Sequence, residues 1–378
     1  MTLGDKRIRV LIVDDSPFMR KVMQTLIAED PTFQVVGEAA DGREAVALAE
    51  SLRPDVISMD IKMPHVDGLE ATEIIMAQNP RPILIVSSES RAGAEGTLRA
   101  LELGAVDFVS KPSGPIDLDM GVVRDEFRRK LKMAAKVRVV RNAGRAVAPR
   151  TEPAPKIHRP EEPVAAQPKP IPTSTATTAN EQWPLVILTA STGGPAALMK
   201  IIPRLRRDLP ATLVLALHMP ASFTSQFAQQ LDEVSEIGVK EAQTAEPLRR
   251  GMLYLCPGSH HLRISGQGLI QLDNGERIGG YRPCADVAME TAAAWAGPMT
   301  VGVILTGMGN DGARGAVAVK AAGGYLIAQD ESSSMIFGMP QEAIRTGVVD
   351  EITGVDNIPA AIEKRVLYLR GALKVGVL

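Results

Sequence analysis

The sequence has few aromatic residues, two cysteines and no long apolar run, and each shortage excludes a class of protein. Tryptophan, tyrosine and phenylalanine together make up 3% of the 378 residues, so the core must be built from aliphatic side chains. Cys256 and Cys284 do not make a disulfide framework, which indicates reduced thiols in a cytoplasmic protein. No apolar stretch approaches the ~18–20 residues of a membrane span, and the N-terminus lacks the apolar stretch of a signal peptide.

An excess of charge of one sign is also missing. The chain has 42 lysine and arginine residues against 44 aspartate and glutamate residues, which gives a formal net charge of -2. Proteins that bind nucleic acid through its phosphates need a basic face. The charge balance therefore argues against a nucleic-acid partner, as the missing apolar run argues against insertion into a membrane.

Prolines, by contrast, are abundant and clustered. Eight of the 27 prolines lie between Pro149 and Pro172, among Lys, Glu, Gln and Ala residues without apolar periodicity. Such a segment cannot bury enough apolar surface to offset its ordering entropy, and its prolines favour an extended spacer. We therefore expect a basic helix end and a Pro-rich linker over 136–182, between one domain at 1–135 and a second at 183–378.

Both domains alternate short apolar strands with amphipathic helices. Strands are predicted at Ile8–Val13, Gln34–Ala39, Val56–Met59, Ile83–Val86 and Asp107–Val109, and then at Leu185–Thr189, Thr212–Leu217, Met252–Leu255, Val301–Thr306 and Tyr325–Ala328. Near-continuous apolar strands between helices indicate parallel sheets that are covered on both faces. The expected fold class is α/β, with two doubly wound parallel-sheet domains, and such sheets bind ligands beyond the carboxyl ends of their strands.

Carboxylates cluster at strand ends in the first domain. Asp14 and Asp15 follow its first strand, and Asp60 follows its third. Facing carboxylates repel one another unless they share a cation, and oxygen ligands suit Mg²⁺. Because later strands end near Ser87 and Lys111, a hydroxyl and an ammonium reach the same edge, as a site for a phosphoryl group requires. The alternative interpretation is that strand-end aspartates are helix N-caps.

These residues fall in motifs that resemble a two-component receiver domain over about residues 5–130. The motifs are Asp14–Pro17, Asp60–Gly68, Ser87 and Phe108–Pro112. The resemblance implies a flavodoxin-like fold, phosphorylation of Asp60 by a sensor histidine kinase, and Mg²⁺ held by Asp14, Asp15, Asp60 and the backbone carbonyl of Lys62. It also implies that Ser87 and Lys111 contact the phosphoryl group and that Phe108 is the aromatic switch residue.

In the second domain, a serine, a histidine and an aspartate follow three predicted strands. Ser191 lies on a tight turn between a strand and a helix, His218 follows the next strand, and Asp311 follows a later one. A serine hydroxyl needs an adjacent base to become a nucleophile, and the imidazole needs a carboxylate to fix its tautomer. Taken singly, each residue also fits a turn, a strand end or a helix cap; together they favour nucleophilic catalysis.

The loop that carries Asp311 allows a second interpretation. Gly307–Gly312 lies between a strand and a helix, and Asp330 ends the next strand about 20 residues later, as in dinucleotide-binding folds. Two features weigh against nucleotide binding. The motif lies late in the domain, and an aspartate inside the loop would place negative charge against a pyrophosphate.

The second domain resembles the chemotaxis protein-glutamate methylesterases, the CheB family, over about residues 184–370. The resemblance rests on Ala190–Gly194, His218–Pro220, Tyr254–Gly258, Arg282–Pro283, Gly302–Gly312, Ala328–Glu331 and Phe337–Pro340. It implies a Rossmann-like domain without a cofactor that hydrolyses glutamate methyl esters, and deamidates glutamines, on chemoreceptors in the cytoplasm. Ser191 would be the nucleophile, His218 the base and Asp311 its orienting carboxylate, with the oxyanion hole at Thr192 and Met308. The alternative is a receiver fused to a nucleotide-binding or other non-catalytic output module.

Overall fold

The computed structural model describes residues 7–87, 91–111, 120–137, 139 and 183–374. The predicted linker therefore lies almost entirely outside the described residues, and its limits stay a prediction. Within the described ranges, no helix combines the length and the apolar character that crossing a membrane requires.

The first domain is a five-stranded parallel sheet between helices. Its elements are β1 (Ile8–Val13), α1 (Pro17–Ala28), β2 (Phe33–Ala39), α2 (Gly42–Leu52), β3 (Val56–Asp60), α3 (Gly68–Gln78), β4 (Ile83–Ser87), α4 (Arg91–Glu102), β5 (Asp107–Ser110) and α5 (Met120–Ala134). The strand order is β2-β1-β3-β4-β5, and every pair is parallel. The predicted doubly wound sheet is confirmed, and its winding reverses between β1 and β3.

The second domain has a larger parallel sheet. Its elements are β6 (Leu185–Ala190), α6 (Gly194–Ile201), β7 (Thr212–Leu217), α7 (Ala221–Val234), β8 (Gly238–Glu241), β9 (Met252–Leu255), β10 (His261–Ile264), β11 (Ile270–Asp273), α8 (Ala285–Ala296), β12 (Thr300–Ile304), α9 (Ala313–Ala321), β13 (Tyr325–Gln329), α10 (Met339–Arg345), β14 (Glu351–Thr353) and α11 (Ile358–Lys374). The order is β14-β13-β12-β6-β7-β9-β8, again parallel throughout, while β10 and β11 form a separate antiparallel hairpin. The second predicted sheet is confirmed as well.

The sheet order places the candidate residues. β6 lies between β7 and β12, so the winding reverses between β6 and β12, the position where open α/β sheets bind ligands. Every residue of β6, β7 and β12 is buried, because helices cover both faces of the sheet. The polar residues that follow these strands are thus held by a rigid layer.

The two domains pack against each other. Helix α4 of the first lies on α6 and α7 of the second. The ring of Phe108, in β5, lies 4.4 Å from the ring of Phe223, in α7, measured between centroids. Both rings are buried, so one apolar core extends across the domain boundary.

Candidate active site

Two buried carboxylates and a lysine form the centre of the site in the first domain. Asp14 follows β1, Asp60 ends β3, and Lys111 follows β5. Lys111 Nζ lies 2.9 Å from Asp14 Oδ2 and 2.8 Å from Asp60 Oδ2. The structure therefore brings together, at the edge where the winding reverses, three residues that the sequence placed there.

Burial controls the protonation of this cluster. Burial raises the pKa of the Asp60 carboxyl, although the hydrogen bond and charge of Lys111 oppose that shift. For Lys111, burial alone would lower the pKa of the ammonium, but its hydrogen bonds to Asp60 and Asp14 raise it above its usual value. A charged lysine is thus held against a carboxylate that is poorly solvated and would gain from a further cation.

The donor set fits a hard divalent cation. One carboxylate oxygen each of Asp14, Asp15 and Asp60 lies within 4.8 Å of the others, although Asp15 is exposed and the other two residues are buried. Oxygen ligands grouped in this way suit Mg²⁺. Beside them is a cavity of about 240 Å³, which is lined by Asp15, Asp60, Ile61, Lys62, Ser87, Gly93 and Lys111. Ser87, the predicted phosphoryl contact, is therefore at this site.

In the second domain, Ser191 begins a tight turn that leads from β6 into α6. The backbone N–H of Ser191 donates to the Thr306 carbonyl at 3.0 Å, and the N–H of Gly194 donates to the Ser191 carbonyl at 2.7 Å. Gly193 has a φ of 77°, and a Cβ there would lie 2.6 Å from Cβ of Met335. Only glycine fits this position, so the turn that presents Ser191 depends on it.

His218 and Asp311 form a hydrogen-bonded pair at the same sheet edge. His218 Nε2 lies 2.8 Å from Asp311 Oδ2. The other ring nitrogen, Nδ1, is buried and has no hydrogen-bond partner in the described part of the chain. It is therefore the ring atom available to accept a proton, and it makes no hydrogen bond to Ser191 in this arrangement. Catalytic hydrogen bonds often close only when substrate is bound.

Asp311 is held by four donors. Besides His218, the backbone N–H of Ala285 donates to Oδ2 at 2.7 Å, and the N–H of Asp286 donates to Oδ1 at 3.0 Å. The thiol of Cys284 donates to Oδ1 at 3.2 Å. Burial alone would raise the pKa of Asp311, but the hydrogen bonds from His218 and the two backbone amides hold it below its ordinary value. The carboxylate therefore stays charged and oriented.

Asp286 mirrors this arrangement. Its Oδ1 accepts hydrogen bonds from the N–H groups of Gly312 at 2.9 Å and Gly315 at 2.7 Å, at the start of α9. Asp311 thus occupies the N-terminus of α8, and Asp286 occupies the N-terminus of α9. A dinucleotide-binding loop would offer the second of these N-termini to a pyrophosphate. Because a protein carboxylate already fills it, the dinucleotide interpretation loses its phosphate site.

Cys284, Asp286 and Asp311 could by spacing alone hold a metal ion. Their chemistry does not favour it. Burial, followed by the charge of Asp311, raises the pKa of the Cys284 thiol to about 12, and in this structure the thiol donates a hydrogen bond to Asp311. Both carboxylates already accept the N–H groups described above, so the cluster has a structural use.

Residues of the first domain reach both predicted oxyanion positions. The Thr192 hydroxyl donates to Oδ2 of Asp107, at the start of β5, over 2.6 Å. Arg129 Nη1, from α5, lies 3.1 Å from the sulfur of Met308. Thr192 is 4% exposed and Ser191 8% exposed, so both residues are buried in this arrangement of the domains.

Several contributors to the site were not predicted from the sequence. They are Asp107, Arg129, Tyr281, Cys284 and Asp286. Local patterns do not mark them, because each acts through a contact with a distant segment. Asp286 alone carries a weak signal, as an acidic residue in the first turn of a helix.

Comparison with known proteins gives a family for each of the two domains. Residues 186–362 match the CheB methylesterase family, and residues 10–122 match the response regulator receiver domain. The protein-glutamate methylesterase/protein-glutamine glutaminase of Pyrococcus horikoshii is 42% identical over 100% of this chain and 98% of its own. Its namesake in Symbiobacterium thermophilum is 44% identical over 95% of this chain and 97% of its own. The crystal structure of the Thermotoga maritima CheB methylesterase catalytic domain is 39% identical, with a TM-score of 0.48, and covers 49% of this chain and 99% of that one.

Proposed function

Because the chain belongs to the CheB methylesterase family and carries a receiver domain, we propose that Ser191, His218 and Asp311 are its catalytic triad. The enzyme is a protein-glutamate methylesterase/protein-glutamine glutaminase, a hydrolase, and not a receiver with a non-catalytic output module. The observation that supports the triad is the 2.8 Å pair of His218 and Asp311 at the sheet edge that also carries Ser191. Its test is the loss of methanol release from methylated receptor membranes in Ser191→Ala.

The chemistry follows from these positions. The Ser191 hydroxyl attacks the carbonyl carbon of the methyl ester while His218 takes its proton at Nδ1. The bond from that carbon to the methoxy oxygen then breaks, His218 returns the proton, and methanol leaves. Water attacks the acyl-enzyme in the same way and releases the glutamate carboxyl group. With a glutamine side chain, the group that leaves is ammonia.

Thr192 and Met308 would stabilise the oxyanion that forms in each step. Donors in such a hole act on charge that exists only in the transition state, and each contributes about 10²–10³-fold to the rate. The Thr192 hydroxyl is bonded to Asp107 in the packed arrangement. It can therefore serve the oxyanion only after the receiver domain withdraws.

The receiver domain would supply that control through phosphorylation of Asp60. Asp14, Asp15, Asp60 and the backbone carbonyl of Lys62 would hold Mg²⁺, which neutralises charge on the phosphoryl group when bound. Lys111 and Ser87 would contact the phosphoryl oxygens. Phosphorylation replaces the single negative charge of the Asp60 carboxylate by about -1.5 to -2 charges on the phosphoryl group, at a site where Lys111 already pairs with two carboxylates. Phe108, three residues before Lys111, would carry the change to the domain boundary.

We expect Asp60→Asn to abolish stimulation of methanol release by a small-molecule phosphodonor, because an amide cannot form the acyl phosphate. The matched control is Asp41→Asn, since Asp41 is the N-cap of α2 and asparagine caps equally well. The control should keep the wild-type stimulation. Stimulation that persists in Asp60→Asn would show that another residue accepts the phosphoryl group.

A contact across the domain boundary would keep the unphosphorylated enzyme inactive. Asp107 Oδ2 accepts from Thr192, while its Oδ1 lies 3.3 Å from Nζ of the buried Lys130. Lys130 also donates to the carbonyl of Phe108. Lys130 thus links Asp107, which accepts from the Thr192 hydroxyl, to the switch residue Phe108. Movement of β5 would therefore shift Phe108 and free the Thr192 hydroxyl at the same time.

We expect Asp107→Asn to raise methanol release by the unphosphorylated enzyme about fivefold. A neutral amide oxygen accepts the Thr192 hydroxyl less strongly than a carboxylate does, by about 1 kcal/mol, and only the packed state loses this stabilisation. The matched control is Asp208→Asn, at an exposed aspartate paired with Arg206. An unchanged or lower basal rate in Asp107→Asn would contradict an inhibitory role for this contact.

The partners follow from the same proposal. The substrates would be methylated glutamates and the corresponding glutamines of chemoreceptors, and the phosphodonor would be a sensor histidine kinase. A cytoplasmic location accords with Cys256 and Cys284, which are free thiols.

A further inference from the structure

One hydrogen bond is not enough to fix the catalytic imidazole. The bond from His218 Nε2 to Asp311 Oδ2 holds one atom of the ring, and the imidazole can still turn about its Cβ–Cγ bond. The second ring nitrogen, Nδ1, has no partner within the described residues that would stop this rotation. Nδ1 is the atom that must face Ser191, so something else has to set the plane of the ring.

Tyr281 provides the missing contact. Its ring lies parallel to the His218 ring, with centroids 4.5 Å apart and an angle of 13° between the planes. Rings stacked at this distance attract each other beyond the area they bury. Rotation of the imidazole about its Cβ–Cγ bond would break the stack and drive the ring edge into Tyr281.

The backbone around Tyr281 is itself rigid. Ile278 and Tyr281 exchange two backbone hydrogen bonds of 3.1 Å across Gly279 and Gly280. Both glycines have positive φ, 62° and 89°, as a type I′ turn requires. The phenol therefore projects from a tight turn and not from a freely moving loop.

The far end of Tyr281 is also fixed. A Cβ at Gly309 would overlap the Tyr281 hydroxyl, so the hydroxyl lies against the backbone of the loop that bears Met308 and Asp311. Burial, followed by the charge of Asp311, raises the pKa of Tyr281, so the phenol stays neutral. One side chain thus contacts both the base and the loop that carries its orienting carboxylate.

We propose that Tyr281 is a positioning residue of the esterase, which fixes the plane of the His218 imidazole for proton transfer from Ser191. The proposal rests on the proposed role of His218. It has a second consequence in the transition state, where the imidazole becomes a cation above the face of an aromatic ring, a favourable arrangement.

The test compares Tyr281→Leu with Tyr281→Phe in the full-length, phosphodonor-activated enzyme. Leucine keeps apolar volume but has no ring face, so kcat for methanol release should fall about 10- to 100-fold while KM stays within about threefold. Phenylalanine keeps the ring and should restore kcat to within about threefold of wild type. Tyr368→Leu, at an exposed tyrosine of α11, is the matched control and should behave as wild type.

A spectroscopic readout tests whether the stack exists in solution. In a protein with labelled histidines, His218→Gln identifies the His218 signal among the five histidines. Its ring protons lie over the phenol and should move downfield in Tyr281→Leu and return in Tyr281→Phe. Because loss of the phenol ring shifts these signals by itself, a positioning role is assigned only if kcat falls while the unfolding temperature stays close to that of wild type.

Several outcomes would overturn the proposal. An unchanged kcat in Tyr281→Leu would do so, as would a raised KM with unchanged kcat, which would make Tyr281 a substrate contact. An equal loss in Tyr281→Phe would assign the effect to the hydroxyl at Gly309. Failure of the proposed function would give a different result, because His218→Gln would then retain methanol release regardless of the residue at position 281.

Discussion

Ser191→Ala should lower the rate of methanol release from methylated receptor membranes about 10⁵–10⁶-fold. No other hydroxyl takes the position of Ser191 in the strand-to-helix turn. A triad that lacks its nucleophile loses nearly all the rate enhancement that the other two residues provide. The turn itself should survive, because the hydrogen bonds of Ser191 to Thr306 and Gly194 involve its backbone alone. The unfolding temperature of Ser191→Ala should therefore stay close to that of wild type.

Ser265→Ala is the matched control for this experiment. The Ser265 hydroxyl accepts hydrogen bonds from the N–H groups of Gln267 and Leu269 in the turn between β10 and β11, away from the sheet edge. Its loss should affect the hairpin and leave methanol release unchanged. Undiminished release from Ser191→Ala would rule out Ser191 as the nucleophile. Equal loss in both variants would point to damage common to the fold.

The sheets and the positions of the three proposed triad residues could be predicted because their signals are local. Strands such as β6 and β7 are buried on both faces, so each is a continuous apolar run, and the polar residue that follows such a run marks the sheet edge. Strands without that burial were not predicted. Gly238–Glu241, His261–Ile264, Ile270–Asp273 and Glu351–Thr353 lie at sheet edges or in the separate hairpin, and they are three or four residues long.

Contacts between distant segments could not be predicted from one sequence. Asp107 and Thr192 are 85 residues apart in the chain and meet only because two domains pack together. Tyr281 and His218 are also distant in the chain, and their rings stack only because the turn at Gly279 and Gly280 places Tyr281 there. Local periodicity specifies which face of an element is buried, but it carries no information on which distant surface covers that face.

Asp311→Asn should lower kcat about 10⁴-fold, the second largest effect that we expect from a single substitution. The carboxylate accepts on both oxygens, from His218 and Ala285 at Oδ2 and from Asp286 and Cys284 at Oδ1. An asparagine must turn its amide N–H₂ toward one of these pairs, where it meets a backbone N–H in either case. An unsatisfied buried donor of this kind costs about 1–3 kcal/mol, so the unfolding temperature should fall as well.

The direction of the amide decides how catalysis fails. If the N–H₂ group faces His218, the imidazole must accept at Nε2 and carry its proton on Nδ1, where it can no longer take the proton of Ser191. If the amide oxygen faces His218, the N–H₂ group meets the N–H of Asp286 and the loop must shift. The first arrangement removes the base that a bound ester needs, and the second displaces it.

Asp286→Asn separates this geometric effect from the simple loss of a charge beside the triad. Both backbone donors to Asp286, Gly312 and Gly315, bond to Oδ1, so an asparagine with its oxygen in that place keeps both bonds. Its N–H₂ group would then replace Oδ2, which lies 3.7 Å from the largely exposed Arg314. We expect Asp286→Asn to keep kcat within about threefold of wild type, since a solvated pair of this kind contributes little. A loss of kcat as large as that in Asp311→Asn would mean that the carboxylates beside His218 act through their negative charge and not by orienting the imidazole.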